Sequence, residues 1–191
     1  MTVAEPGGLS SLELDRVREL AATFADPAAF RGWYETAVTQ VFGYLVPRCG
    51  GDMLLAEELT QRTFIQAIDR RSTYEGRSSA ITWLCTIARN KLVDHYREVD
   101  RMHRRHLQLV VREIPNVDGG VTSVDDREVI LTALRGLPAM QRAAVVLRYV
   151  DGLSVRETAA ALGRSESATE SLLSRARDRL RESLGSVSDG R

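Results

Sequence analysis

The sequence predicts an all-α protein: two small helical domains joined by a flexible acidic linker. Three observations carry that expectation. Apolar residues recur at three- and four-residue spacing through most of the 191 residues, the period of an amphipathic helix and not of a strand. Residues 113–126, EIPNVDGGVTSVDD, break the period with a proline, paired glycines and acids, a linker composition. Near the C-terminus, two short helical patterns flank a tight turn at Gly163.

Taken in order, Leu12, Val17, Leu20 and Phe24 lie on one stripe of a helix in an N-terminal segment, 1–26. Asp26 and Pro27 then end it and start another, a cap followed by proline at the first helical position. Phe30, Tyr34, Val38, Val41 and Leu45 mark the second helix, closed by Pro47 and Gly50-Gly51. Asp52 caps a third over 53–68, and the polar loop 69–79, DRRSTYEGRSS, precedes a long fourth that starts near Ser79. Its period turns Trp83, Leu84, Ile87, Ala88 and Leu92 inward and Thr86, Asn90, Asp94 and Arg97 outward. These helices hold enough apolar residues for a first domain over 27–112. Helical pattern resumes near Arg127 and marks a second domain, 127–184, before a frayed tail, 185–191.

Within the second domain, Ser154 and Glu157 have the spacing of a capping box. The helix they open, Val155–Leu162, packs Ala159, Ala160 and Leu162 and stops at Gly163, which tolerates a left-handed turn. Ser165 caps the next helix after three residues, as a steeply crossed helix-turn-helix requires. Ala168, Leu172, Leu173, Ala176 and Leu180 share one face of that helix. Opposite lie Ser167, Glu170, Ser171, Ser174, Arg177 and Arg181, with Arg175 on the flank. Short hydroxyls and arginines on a bare helix face suit a major groove and its phosphates.

Composition narrows the classes. Lys and Arg number 26, as do Asp and Glu, so the net charge is zero and there is no global basic signature. Positive charge is local instead, in 95–106 (HYREVDRMHRRH) and 174–181 (SRARDRLR). Two cysteines, Cys49 and Cys85, are too few for a disulfide framework and are expected to be isolated thiols. No signal pattern opens the chain and no apolar run approaches membrane length, so a cytoplasmic protein without membrane insertion is expected. His95, His103 and His106 lie on a basic helix with no cysteine nearby, a poor metal site. With no nucleophile–base spacing and no phosphate-cradling glycine loop, neither catalysis nor a cofactor is expected.

Three stretches, AEELTQRTFIQAI (56–68), ITWLCTIARNKLVDHYR (81–97) and LPAMQRAAVVLRYVDGLSVRETAAALGRSESATESLLSRARDRLRE (137–182), carry a family likeness in their order and spacing. Together they resemble the extracytoplasmic-function (ECF, group 4) sigma factors of the bacterial sigma-70 family, over nearly all of 30–182. The resemblance implies an alternative sigma factor of the stress-response kind. Such a factor binds core RNA polymerase and directs promoter-specific initiation, with region 2 at 27–112 and region 4 at 127–184.

It also implies residue roles. Glu57, Glu58, Gln61, Phe64 and Ile65 match the surface that docks on the clamp of the largest polymerase subunit, acids and an amide beside a hydrophobic anchor. Arg62 stands where an acid is common. Tyr74, Arg77 and Ser78 in the loop, with Asn90, Lys91 and Arg97 on the fourth helix, match the segment that melts and reads the minus-10 element. Such segments hold single-stranded bases in pockets and phosphates by positive charge. For the minus-35 element the resemblance assigns Ser167, Glu170, Ser171, Ser174, Arg175 and Arg177, with Arg156 and Arg164 near phosphates. Glu170 stands where a basic residue is frequent, and an acid there can accept from a cytosine amino group. Gln141, Arg142 and Arg148 are expected to face solvent or the polymerase flap, and the linker to thread toward the active-site cleft. Many members are held by an anti-sigma protein, which makes one a candidate partner. The other reading is a conventional helix-turn-helix regulator on an operator; it would need a sensing domain, and the first domain lacks a receiver's strand alternation.

Overall fold

Helices and turns make up the computed structural model, which describes residues 9–109 and 126–188. In order these are α1 (Ser11–Ala25), α2 (Pro27–Arg48), α3 (Met53–Asp69), a single 3₁₀ turn (Arg71–Thr73), and α4 (Ala80–Leu109). After residues 110–125, which lie outside the described residues and include most of the expected linker, come α5 (Asp126–Arg135) and α6 (Ala139–Val145). A π turn (Val146–Val150) extends α6, and α7 (Val155–Leu162) and α8 (Glu166–Ser188) form the helix-turn-helix. α8 passes Leu184, where the sequence was expected to fray.

Side-chain caps explain most of the boundaries. Ser10 and Glu13 close a reciprocal capping box on α1. Asp26 accepts from the amides of Ala28 and Ala29 at 3.1 and 3.3 Å, so one residue ends α1 and begins α2. Asp52 does the same for α3 through the Leu55 amide at 3.0 Å. Each cap satisfies amides that the first helical turn leaves without a partner.

α2, α3 and α4 bury Ala37, Val41, Leu45, Leu59, Leu84, Ala88 and Leu92 between them. An aromatic cluster extends this core toward the N-terminus. Phe24 of α1 lies 5.2 Å from Phe30 and 5.5 Å from Trp33, and Tyr34 meets Phe64 edge-on at 4.8 Å. α1 therefore packs as part of the first helical unit. In the second unit, α5–α8 bury Leu131, Leu134, Met140, Ala144, Leu147, Leu162, Leu173 and Ala176.

Buried residues of both units form a contiguous core, and α4 is the helix they share. This corrects one expectation. Gln141 is buried, and Arg142 folds back to donate to the carbonyls of Arg135, Leu137 and Cys49. Arg148 donates to the Leu153 carbonyl. These polar residues face the protein because α6 lies between α4 and α8, where every face of a helix is covered. Cys49 and Cys85 are both free; burial pushes the Cys49 thiol up to about 12 and raises that of Cys85 as well. Among the described residues no helix is long and apolar enough to cross a membrane, and no group of three or more acidic, histidine or cysteine side chains could hold a metal ion.

Gly76 marks the tightest approach between α1 and the loop before α4. Its φ is +70°, and a Cβ there would fall 2.1 Å from the Glu13 carbonyl oxygen, a backbone atom that cannot step aside alone. Gly76→Ala should therefore lift α1 from the loop and destabilise the chain by more than about 1 kcal/mol. Denaturant unfolding with an unchanged midpoint would show that α1 adds nothing there.

Candidate nucleic-acid interface

On α8 the local chemistry separates an inner from an outer face. Ser165 accepts from the Ala168 amide at 3.2 Å, fixing where the helix starts. Leu173 and Ala176 are buried, as is Thr169, whose hydroxyl is satisfied by the Ser165 carbonyl at 3.0 Å. A buried threonine gives no apolar signal to a periodicity argument, so only the fold places it. Outward, Ser167, Glu170, Ser171, Ser174, Arg175 and Arg177 are all exposed along one helix. Arg175 Nε donates to the Ser171 carbonyl at 3.2 Å, which lays its guanidinium along that face. Arg156 is exposed on the first turn of α7. Arg164 is not free: it pairs with Asp100 of α4 at 2.9 Å.

The helix-turn-helix itself has the expected joints. Ser154 and Glu157 form the capping box, and Gly163 takes a left-handed φ of +61° between α7 and α8. Ala160, expected in the core, is exposed instead and faces a cleft with α4; Thr158 takes the buried position.

That cleft holds three of the residues assigned to the minus-10 element. Asn90 is exposed and Lys91 half-buried, and with Arg97 they line one wall of a cavity of about 690 Å³; Leu153, Glu157, Ala160 and Ala161 line the other. Arg70 and Arg89 add positive charge to the same wall. Sequence reasoning missed both, although Arg89 directly precedes Asn90 and Arg70 ends α3. Arg97 donates to the Ala161 carbonyl at 2.5 Å and lies 3.5 Å from Asp94.

The loop before α4 departs from expectation at Tyr74. Its ring is only 6% exposed, packed 5.3 Å from Trp83, and its hydroxyl donates to the Ser78 carbonyl at 2.6 Å. Burial raises its pKa. Tyr74 thus anchors the loop and offers no open wall to a base, because α1 closes over it. Arg16 of α1 donates to the Gly76 carbonyl at 3.1 Å, and Val17 and Leu20 line a cavity with Tyr74. Arg77 stays exposed, paired with Glu75 at 2.7 Å, and Ser78 is half-buried.

α3 presents a second kind of surface. Glu57, Glu58, Gln61 and Ile65 are exposed, Ile65 at 62%. Phe64 is not part of this surface: it is 4% exposed and lies among Trp33 and Tyr34 in the core. It packs α3 against α2. Leu54 at 80% and Ile68 at 39% exposure extend the stripe, at helical spacing from Glu57 and Ile65. Glu58 is bridged to Arg62 one turn on at 2.5 Å. Exposed aliphatic side chains are thus interleaved with acids along one face of α3.

Comparison with known proteins agrees with this division. Residues 33–102 match the family model Sigma-70 region 2, and residues 127–180 match Sigma-70, region 4. The chain is 34% identical over 176 residues to the ECF RNA polymerase sigma factor BldN of Streptomyces coelicolor, covering 87% of this chain but 64% of BldN. It is 33% identical over 141 residues to the ECF RNA polymerase sigma factor SigX of Bacillus subtilis, covering 70% of this chain and 71% of SigX. Among solved structures, the sigma factor RpoE in complex with the anti-sigma factor NepR from Bartonella quintana aligns at 27% identity and a TM-score of 0.48, over 82% of this chain and 96% of RpoE. With both family regions present in order and a third of the residues shared across most of SigX, the chain belongs to the ECF RNA polymerase sigma factors of the sigma-70 family.

Proposed function

We propose that this chain is an alternative sigma factor that binds core RNA polymerase and directs promoter-specific initiation, acting by binding and without chemistry of its own. The observation that carries this reading is the pairing of two unlike surfaces on one chain. α3 offers an aliphatic and acidic stripe suited to a protein, and α8 offers hydroxyls and arginines suited to a duplex. A conventional operator-binding regulator needs only the second surface and is not favoured. On this reading Leu54, Glu57, Glu58, Gln61 and Ile65 dock on the clamp of the largest subunit. Arg77, Ser78, Asn90, Lys91 and Arg97 take the minus-10 element, joined by Arg70 and Arg89. Exposed Ile130, Tyr149 and Val150 of the second unit replace Gln141, Arg142 and Arg148 as candidates for the flap contact. An anti-sigma protein is a further proposed partner, since covering α3 or α8 would silence the factor.

Run-off transcription with sigma-free core polymerase and templates randomised at the minus-35 and minus-10 positions tests this directly. Transcripts starting at a fixed distance from a selected sequence are expected. Core polymerase that starts none in the presence of the chain would overturn the reading.

Ile65→Asp should weaken core-polymerase binding about 30-fold, the effect of removing an interface anchor worth about 2 kcal/mol, with helix content unchanged. Equal binding by the variant would remove α3 from the docking surface.

The outward acid on α8 allows a sharper measurement. If Glu170 accepts from a cytosine amino group, Glu170→Lys should reorder the preferred minus-35 sequences, with discrimination shifting by about 1–3 kcal/mol at one base pair. If Glu170 only repels phosphate, every sequence should be bound more tightly, in the same order and with a steeper salt dependence. Selection with both holoenzymes reads the difference, and identical rankings would leave Glu170 with no part in base recognition.

A further inference from the structure

The first turns of α1 face charged residues inward and leucines outward. Leu12 and Leu14 stand in solvent, while Glu13 and Arg16 are half-buried on the stripe that continues through Val17, Leu20 and Phe24. That arrangement forfeits apolar burial, so this end of the helix is matched to a polar neighbour. The neighbour is the loop before α4. Arg16 Nη1 donates to the Gly76 carbonyl at 3.1 Å, and Gly76 approaches the Glu13 backbone too closely to carry a Cβ. Gly76 is buried in a loop, where a carbonyl lacks the regular partners of a helix or sheet, and Arg16 supplies its donor.

The loop answers with alternating burial. Tyr74 and Gly76 are buried against α1, and Glu75 and Arg77 are exposed. Holding 74 and 76 inward thus leaves 75 and 77 directed to solvent, where their side chains pair at 2.7 Å. Hydrogen bonds from Ser10 lower the Glu13 pKa most, and attraction to Arg77 and Arg16 lowers it further, so all three charges gather at this contact. The apolar side of the contact is loosely filled. Val17, Leu20 and Phe24 face Ser72 and Tyr74 across a cavity of about 440 Å³. With that side open, the Arg16 hydrogen bond and the close approach at Gly76 fix where the loop sits on α1.

Resting on the sigma-factor reading, we propose that Arg16 is a positioning residue for minus-10 recognition: α1 holds the loop at Gly76 so that the exposed Glu75–Arg77 pair reads one unstacked base. The pair has the chemistry for this. A carboxylate accepts from the exocyclic amino group of cytosine or adenine, and a guanidinium beside it donates to a neighbouring acceptor or phosphate. Bases of a melted strand offer their pairing edges to such groups. A loop free to shift would still attract the strand through charge, yet would lose the spacing that tells bases apart. Glu75 thereby becomes a specificity-determining residue, and Arg16 acts through it without touching DNA.

The test uses holoenzyme assembled on sigma-free core polymerase and a promoter taken from the transcription selection, with each minus-10 base pair replaced in turn. Run-off transcription should show that the wild type prefers an amino-bearing base at one position, and Glu75→Ala should lower that preference. Arg16→Ala should lower the same preference about tenfold, the scale of one misread base pair, with the ranking of minus-35 sequences and the affinity for core polymerase unchanged. Arg16→Lys keeps a donor on a long side chain and should restore much of the discrimination. Alanine and lysine are both strong helix formers, so α1 persists in either variant, with circular dichroism as the check. In Arg16→Ala combined with Glu75→Ala, the second change should cost nothing further, since residues acting through one geometry do not add. An equal loss on every template, with the base ranking kept, would make Arg16 a general scaffold or phosphate contact and overturn the inference while the sigma-factor reading stands. An unchanged preference in either single variant, or losses at different base positions, would overturn it likewise. No transcripts from the wild-type holoenzyme would overturn both.

Discussion

Tyr96 stands where the two units meet, and the arrangement of both depends on how its polar tip and ring are satisfied. It is fully buried on α4, its hydroxyl donates to the Arg48 carbonyl at 2.9 Å, and Arg142 of α6 lies over its ring at 5.5 Å. A buried phenol needs a hydrogen-bond acceptor, and this one finds it in the last turn of α2, where carbonyls lack intrahelical partners. That contact ties the end of α2 to α4, beside the apolar core the two helices share, at the backbone of Arg48. Arg142, drawn over the ring, donates in turn to Cys49 in the turn that follows α2. The end of α2 is thereby tied to α4 and α6 together.

Gly50 and Gly51 serve the same junction. Both have positive φ, and a Cβ on Gly50 would fall 3.1 Å from the backbone nitrogen of Arg135. Arg135 Nε donates to the Gly50 carbonyl at 3.0 Å. The pair therefore turns the chain from α2 into α3 and also leaves room for the end of α5. Gly163 repeats this double use in the helix-turn-helix, ending α7 and admitting Arg97. In each case a residue required by local backbone geometry also lets a distant element come close.

The division of labour between faces follows from what each helix must bury. α3 commits Leu59 and Phe64 to the core and leaves Leu54, Ile65 and Ile68 outside. α8 buries Leu173 and Ala176, and its exposed side carries serines and arginines. Both helices are amphipathic, but their outer faces differ in kind. Aliphatic groups among acids favour a protein partner, whose contact desolvates them; hydroxyls and guanidinium groups favour the grooves and phosphates of a duplex.

Much was determined by the sequence alone. Helix periods, the caps at Asp26, Asp52, Ser154 and Ser165, and the left-handed glycine at 163 are local features, governed by backbone groups within one turn, so they could be read without a fold. The outer face of α8 was legible for the same reason. Tyr74 was not: its neighbours in sequence, Thr73 and Glu75, are polar, and it is buried by a helix distant in the chain, α1. Phe64 reads as a core residue from composition, and only the family resemblance moved it to the docking face. Gln141 and Arg142 were misread outward because composition cannot say that α6 is covered on all sides. The packing of α7 on α4 lay beyond sequence as well. It rests on Arg97 with Ala161, Arg164 with Asp100, and Arg48 with Asp151, pairs separated by 64, 64 and 103 positions. Each of these charges reads as a solvated or DNA-facing residue until the tertiary structure supplies its partner, since an ion pair is a property of two places in space and a sequence records only one at a time.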